Sequence, residues 1–500
     1  MKRNFLTTAV ISSIAGVAGI ASVANAVELN SDGLGQVLIY PYYTVNGGNS
    51  TLLSVVNTTA NSKAVKVRFL EGRNSQEVLD FNLFLSPFDV WTAAVFSLSD
   101  TGGGNLATDD ESCTNPAIKH GTSGVGSLPD GRKYVAFRNN QYLGDGGPTS
   151  LDRTREGHIE MIEMATILAG TDLSDNVTHV DGVPADCSVV AGVTAANPDL
   201  TTPSGGLFGS GTIVQPAIGT IYPYNADAID GFYTLTGNLF TPSGSVLPSL
   251  ANAATSLTGA TAFNFVTSSS GGTGSLVVSD YATANAIDAV SSIFADSAIH
   301  NEYVVEAASS SESEWVVTFP TKRFYVTGAA APIRPFPKKF TSTGGGTACV
   351  VVGISYWDRE EQTTVSQDDF SPPNQIAPSS LCYEAQVLTF QTAQSYTAAN
   401  GVSKVLSSKL TANVDPRATN FESGWLRLSL DQNNPASEAH DMRESTDGDV
   451  FHGLPVTGFL AVNYINANNG AAGVLANYSG LYRHRASRSC TELVGGAACS

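Results

Sequence analysis

Residues 36–96 run QVLIYPYYTVNGGNSTLLSVVNTTANSKAVKVRFLEGRNSQEVLDFNLFLSPFDVWTAAVF, and the rhythm of this stretch decides the fold class. Val65, Val67 and Phe69 point one way while Lys66 and Arg68 point the other, because successive side chains of a strand leave opposite faces. Leu79, Phe81, Leu83 and Leu85 repeat the pattern opposite Asp80 and Asn82. Between QVLIYPYYT and TLLSVV lies Asn46-Gly47-Gly48-Asn49, whose residues accept positive φ and so predict a hairpin. A further strand, FDVWTAAVF, follows Pro87. Short apolar strands separated by turns every ten or so residues predict a β-sandwich.

Working outward, the composition agrees. Only 14% of residues are charged and 48 are glycine, which suits neutral polar strands and turns better than solvated helices. Residues 101–152 read as loop-rich, and Gly157–Met164 (GHIEMIEM) reads as a short strand. Ile287, Val290 and Phe294 fall at helical spacing in a segment beginning near Thr283. The strings EYVVE, EWVVTFPTKRFYV, CVVVGISYW, LCYEAQVLTFQ, WLRLSL and LPVTGFLAVNY read as strands, and Pro332–Pro337 followed by TSTGGG reads as a linker. The expected division is a signal at 1–26, a sandwich with a loop-rich insertion at 27–205, a β-rich block with a short helix at 206–335, and a C-terminal β-rich domain at 336–500.

The start of the chain, MKRNFLTTAVISSIAGVAGIASVANA, has the parts of a secretory signal. Lys2 and Arg3 form its basic start, an apolar stretch extends to about Val23, and Ala24-Asn25-Ala26 offers the small residues of a cleavage site. Cleavage after Ala26 takes Lys2 and Arg3 away and moves the formal charge from −19 to −21. An anionic surface repels phosphate backbones and anionic lipid, so neither nucleic acid nor such a membrane surface is expected as a partner. After the signal no apolar run reaches the ~18 residues of a membrane helix. The expected location is extracellular or at the cell surface, with the periplasm as an alternative. Six cysteines, an even number without a C-x-x-C pair, favour disulfides over zinc or redox chemistry. Chain order suggests Cys113–Cys187, Cys349–Cys382 and Cys490–Cys499.

Catalytic signatures are few. The Gly-x-Ser-x-Gly elbow of the α/β-hydrolases does not occur, and the seven histidines form no H-E-x-x-H pair. Glu156, His158 and Glu160 share one face of a strand and offer an acid/base or metal site, although Ile162 and Met164 continue that face inward. His440, Asp441, Asp447, Asp449 and His452 lie in one polar loop, where hard oxygen ligands on a Gly448-kinked backbone suit calcium. Asp441, Asp447 and Asp449 are thus candidate metal ligands, against the plainer reading of a solvated acidic loop. The pairs Glu360-Glu361 and Asp368-Asp369 read as surface charge, since neighbours on a strand face opposite ways. Tyr40, Tyr42 and Tyr43 could stack on sugar rings or simply pack within a sheet. No residue is assigned a catalytic role.

The strand pattern of residues 36–96, with its N-T-T turn after Val56, resembles immunoglobulin-like modules of bacterial surface proteins. The phrases IYPYYTVNGGNSTLLSVVNTT, EWVVTFPTKRFYV and GLPVTGFLAVNYIN are similar to those of secreted β-rich surface proteins of Gram-negative bacteria. The resemblance implies a location, not a chemistry. The expectation is therefore an all-β chain of two or three immunoglobulin-like sandwich domains, with long loops and one or two short helices. Its expected role is non-enzymatic and structural at the cell surface, as a surface-layer, appendage or adhesion component that self-associates or joins other surface components, with calcium assisting assembly. A polymer-acting extracellular hydrolase and a secreted ligand-binding module are the alternatives.

Overall fold

The computed structural model describes residues 26–266, 274–306, 309–342, 346–363, 379–390, 403–414, 421–431, 440–466, 476–493 and 497–499. Most of the signal segment therefore lies outside the described residues, as does Asp368-Asp369. Two β-sandwiches, each made of two sheets that close over an apolar layer, form most of the described residues, with four two-stranded sheets beside them.

In the first sandwich, one sheet runs in the order Glu28–Leu29, Asp227–Asp230, Val37–Thr44, Glu156–Ile167, Ser62–Glu71, Glu77–Leu85, Cys113–Asn115. Opposite it lie Thr220–Asn225, Leu207–Gln215, Ser50–Asn57, Val90–Ser97, Gly104–Ala107, Lys133–Ala136 and Gly126–Ser127. The apolar alternation explains the closure. Val65, Val67, Phe69, Phe81 and Leu83 of one sheet meet Leu53, Val55, Trp91 and Val95 of the other, with the Phe81 and Trp91 rings 5.7 Å apart.

The strands flanking Asn46–Gly48 do not pair with each other as the hairpin reading expected. A tight turn does form, with Gly47 at φ 60° and Gly48 at φ 80°. Val37–Thr44 then pairs with Glu156–Ile167 and Asp227–Asp230, whereas Ser50–Asn57 pairs with Val90–Ser97 and Leu207–Gln215. A glycine pair bends the chain just as well across two sheets as within one; tertiary pairing partners select between them. The strands between Leu207 and Asp230, which the sequence division put in a second block, complete the two sheets of the first sandwich.

The second sandwich stacks Ser379–Leu381, Val350–Asp358, Ser423–Ser429, Ala298–Val304 and Arg485–Ser487 over Thr411–Val414, Ala385–Phe390, Ser311–Thr318, Thr457–Tyr464 and Tyr478–Arg483. Its centre is aromatic. Tyr303 stacks on Phe390 at 5.2 Å, and Trp315, fully buried, donates Nε1–H to the Glu302 carbonyl at 2.9 Å. That bond satisfies the one polar atom an indole carries inward.

The two bodies are joined by shared packing. Val316, Val387, Phe459 and Ala461 of the second sandwich belong to the same apolar cluster as Leu38, Tyr40 and Val67 of the first. Thr318 Oγ1 donates to the Pro41 carbonyl at 2.7 Å, and the amides of Glu384 and Ala385 both donate to Gly72 O at 2.9 Å. The helix expected near Thr283 spans Ala286–Phe294 and is buried along its whole length, packed chiefly against the Gly259–Val266 and Ser275–Ala282 strands. All three cysteine pairs form as chain order suggests, with Cα–Cα separations of 5.2, 3.7 and 5.5 Å. No helix among the described residues is long and apolar enough to cross a membrane.

Candidate functional site

The strand face offered by Glu156, His158 and Glu160 is the inside of the molecule. Every residue of Glu156–Ile167 is buried, and so is every residue of the neighbouring Ser62–Glu71. The charges that alternation turns away from the apolar layer are therefore not solvated; they are matched. Lys63 meets Glu163 at 2.8 Å, Lys66 meets Asp80 at 2.9 Å, and Arg68 holds Glu77 at 2.7 Å and Glu160 at 3.4 Å. Arg323, from the connection between Ser311–Thr318 and Val350–Asp358 of the second sandwich, reaches Glu160 at 3.5 Å. Such pairs contribute little net stability, but removal of one partner leaves a buried charge and costs about 3–5 kcal/mol.

Within this layer the three candidates have separate surroundings. The Glu156 carboxylate accepts from Tyr42 OH at 2.7 Å, Ser408 Oγ at 2.6 Å and the Lys409 amide at 2.8 Å, which ties the first sandwich to the second. His158 is fully buried, neither ring nitrogen has a hydrogen-bond partner among the described residues, and burial pushes its pKa down to about 3. The ring is a neutral filler between Arg68 and Arg323 rather than a base. Nearby, burial pushes Lys322 down to about 8 and Glu384 up to about 8, while the Glu384 carboxylate accepts from Ser75 Oγ at 3.0 Å and the Arg323 amide at 3.2 Å.

The acidic loop does not gather its aspartates. Asp441 Oδ1 pairs with His452 Nδ1 at 2.7 Å, Asp447 Oδ2 accepts from the Asp280 amide at 2.8 Å, and Asp449 Oδ2 accepts from Ser279 Oγ at 2.6 Å. Asp447 and Asp449 fasten the loop to neighbouring residues of the Ser275–Ala282 strand, whereas Asp441 ties it to its own His452. The one group of three metal-ligating side chains among the described residues is Asp449 with Cys490 and Cys499, whose two sulfurs are bonded to each other. Asp441, Asp447 and Asp449 thus act as loop clamps, each held by its own partner and not gathered with the others among the described residues. Glu360-Glu361 sits exposed in a turn capped by Asp358, as surface charge.

Tyr40, Tyr42 and Tyr43 are also interior, each with no exposed surface, and their hydroxyls donate to Ser54 O, Glu156 Oε2 and Thr154 O. A sugar cannot reach them. One exposed aromatic group lies on the outer face of the second sandwich. Trp357 and Trp425 are directly opposite each other on adjacent strands, with ring centroids 4.1 Å apart and planes 11° from parallel. Gly424 allows the close approach, because a Cβ there would lie 1.8 Å from the Trp357 carbonyl. Trp425 is 41% exposed and His300 lies against it at 6.3 Å. In the next row of the sheet, Arg485, His300, Arg427 and Ser355 stand side by side. Burial, then Arg427, lowers the His300 pKa, so the positive charge of this row comes from the two arginines. The strings CVVVGISYW and WLRLSL contain both tryptophans, yet nothing in either string shows that the two strands become neighbours.

A cavity of about 390 Å³ opens beside the Glu77–Leu85 strand, lined by Leu79, Phe81, Ile118, Val135, Arg138 and Gln141. Comparison with protein-family models, curated proteins and solved structures gives no match.

Proposed function

We propose that this chain is an exported, non-enzymatic structural protein of the cell surface, serving in a surface layer, an appendage or adhesion. The observation that carries this reading is the joining of two disulfide-bonded sandwiches through one shared apolar cluster. Such a body resists deformation and presents fixed outer faces, which suits assembly and attachment. The candidate acid/base groups are committed to interior ion pairs and hydrogen bonds that hold the bodies together. Export is supported by the signal-like start and by bridges of the kind that persist in oxidising compartments. The resemblance to secreted β-rich surface proteins, with immunoglobulin-like modules, points the same way. Its partners are further copies of the chain or other surface components, and calcium is not part of the reading.

The cavity beside Glu77–Leu85 favours a second reading, a secreted ligand-binding module, because apolar walls with a few polar groups are the usual form of a small-molecule site. Electron microscopy and fractionation of cells with and without this chain separate the two. Loss of a lattice, filament or attachment in the deletion strain is expected. An unchanged surface with the protein free in the medium would overturn the structural reading in favour of the binding module.

A further inference from the structure

The outer face of the second sandwich combines two features on an acidic protein. Its two tryptophans stack in one row, and two exposed arginines flank His300 in the next. Rows on a strand face are about 7 Å apart and neighbouring strands about 4.8 Å, so Arg427 and Arg485 stand about 10 Å from each other beside the aromatic row. Among the described residues neither guanidinium has a hydrogen-bond or ion-pair partner. Glu302, opposite Trp425, is the one acid of these two rows. The patch is locally cationic on a chain whose formal charge is −19. On the edge away from Ser423–Ser429, the strand carrying Trp357 is paired as far as Val352, and among the described residues a single bridge to the small Thr363 lies beyond it.

We propose that this face binds a uronate-bearing acidic polysaccharide. The negative ring faces attract the slightly positive C–H groups of a sugar, while an arginine fork accepts a carboxylate through two parallel hydrogen bonds. A linear chain crossing the strands meets Arg485, His300 and Arg427 in turn, with the tryptophans along its apolar side. A nucleic acid is the poorer fit: affinity for a phosphate backbone comes from many cations displacing counterions, and two arginines on a net acidic body supply few. The inference deepens the cell-surface reading by naming what one face of the protein holds.

The test uses the full mature chain in affinity electrophoresis and tryptophan-fluorescence titration, with polygalacturonate, dextran and single-stranded DNA as probes. Polygalacturonate is expected to retard the protein and quench its fluorescence, with dextran and DNA doing neither. The double variant Arg427→Gln/Arg485→Gln, which leaves the aromatic stack in place, is expected to weaken binding tenfold or more, as is Trp425→Ala. Unchanged Tm confirms that each variant is folded, and the arginine pair keeps the test decisive if Trp425→Ala unfolds. Absence of retardation, equal retardation by dextran, equal or tighter binding of DNA, or an unchanged Kd in the arginine variant overturns the proposal. Finding the protein in the cytoplasm would sink the surface reading while leaving a positive binding result standing; a surface protein that fails to bind sinks only this inference.

Discussion

Acid is expected to destabilise this protein through His158. The imidazole is fully buried in the Glu156–Ile167 strand, and burial first, then the charges of Arg323 and Arg68, press its pKa from 6.5 to about 3. In the unfolded chain the same ring takes up a proton near pH 6.5. Between those values the unfolded state holds one proton more than the folded state. The stability tied to the neutral ring is therefore complete above about pH 6.5 and is lost as pH falls toward 3. One pH unit corresponds to about 1.4 kcal/mol, so descent from pH 6.5 to pH 4 removes about 3 kcal/mol. The perturbation is His158→Leu, which keeps an apolar side chain in place and cannot titrate. Urea unfolding of the parent and the variant, followed by tryptophan fluorescence at a series of pH values, isolates the effect because the other acids cancel in the difference. The difference is expected to shift in the variant's favour by about 3 kcal/mol over that range. Parallel curves would refute the reasoning, since they would mean that the folded ring binds its proton as readily as the unfolded one.

Three further outcomes follow from the same geometry. Cys113 and Cys187 are 74 residues apart, so replacing both with serine frees a long loop and is expected to cost about 4.5 kcal/mol in denaturant unfolding; an unchanged midpoint would show that the bridge does not constrain the unfolded chain. Gly157→Ala places a Cβ 1.9 Å from the Leu70 carbonyl, where the strand register shifts, and a loss of about 3 kcal/mol or more is expected; full stability by calorimetry would mean that the bulge relaxes freely. Calcium or a chelator is expected to leave Tm unchanged, because Asp441, Asp447 and Asp449 each already bind a different partner; a calcium-dependent rise of several degrees would show that the loop rearranges to gather them.

The sequence alone determined the elements whose signals are local. Alternation at Val65, Val67 and Phe69 set which way that strand faces, because side-chain direction is a property of the extended backbone. Helical spacing at Ile287, Val290 and Phe294 located the buried helix, and the order of the six cysteines matched all three bridges. Strand partners were not legible. Asn46-Gly47-Gly48-Asn49 predicts a turn from its own dihedral freedom, but the two strands it joins pair with distant segments, Glu156–Ile167 for one and Val90–Ser97 and Leu207–Gln215 for the other, rather than with each other. For the same reason burial was misjudged: Lys66, Arg68, His158 and Tyr42 carry the pattern of an outer or accessible face, and only the loops and second sandwich packed over that sheet make it interior. The face formed by Trp357, Trp425, Arg427 and Arg485 arises in the same way. Its residues come from three sequence segments, and hydrogen bonding between their strands, a long-range choice made by the whole core, is what brings them onto one surface.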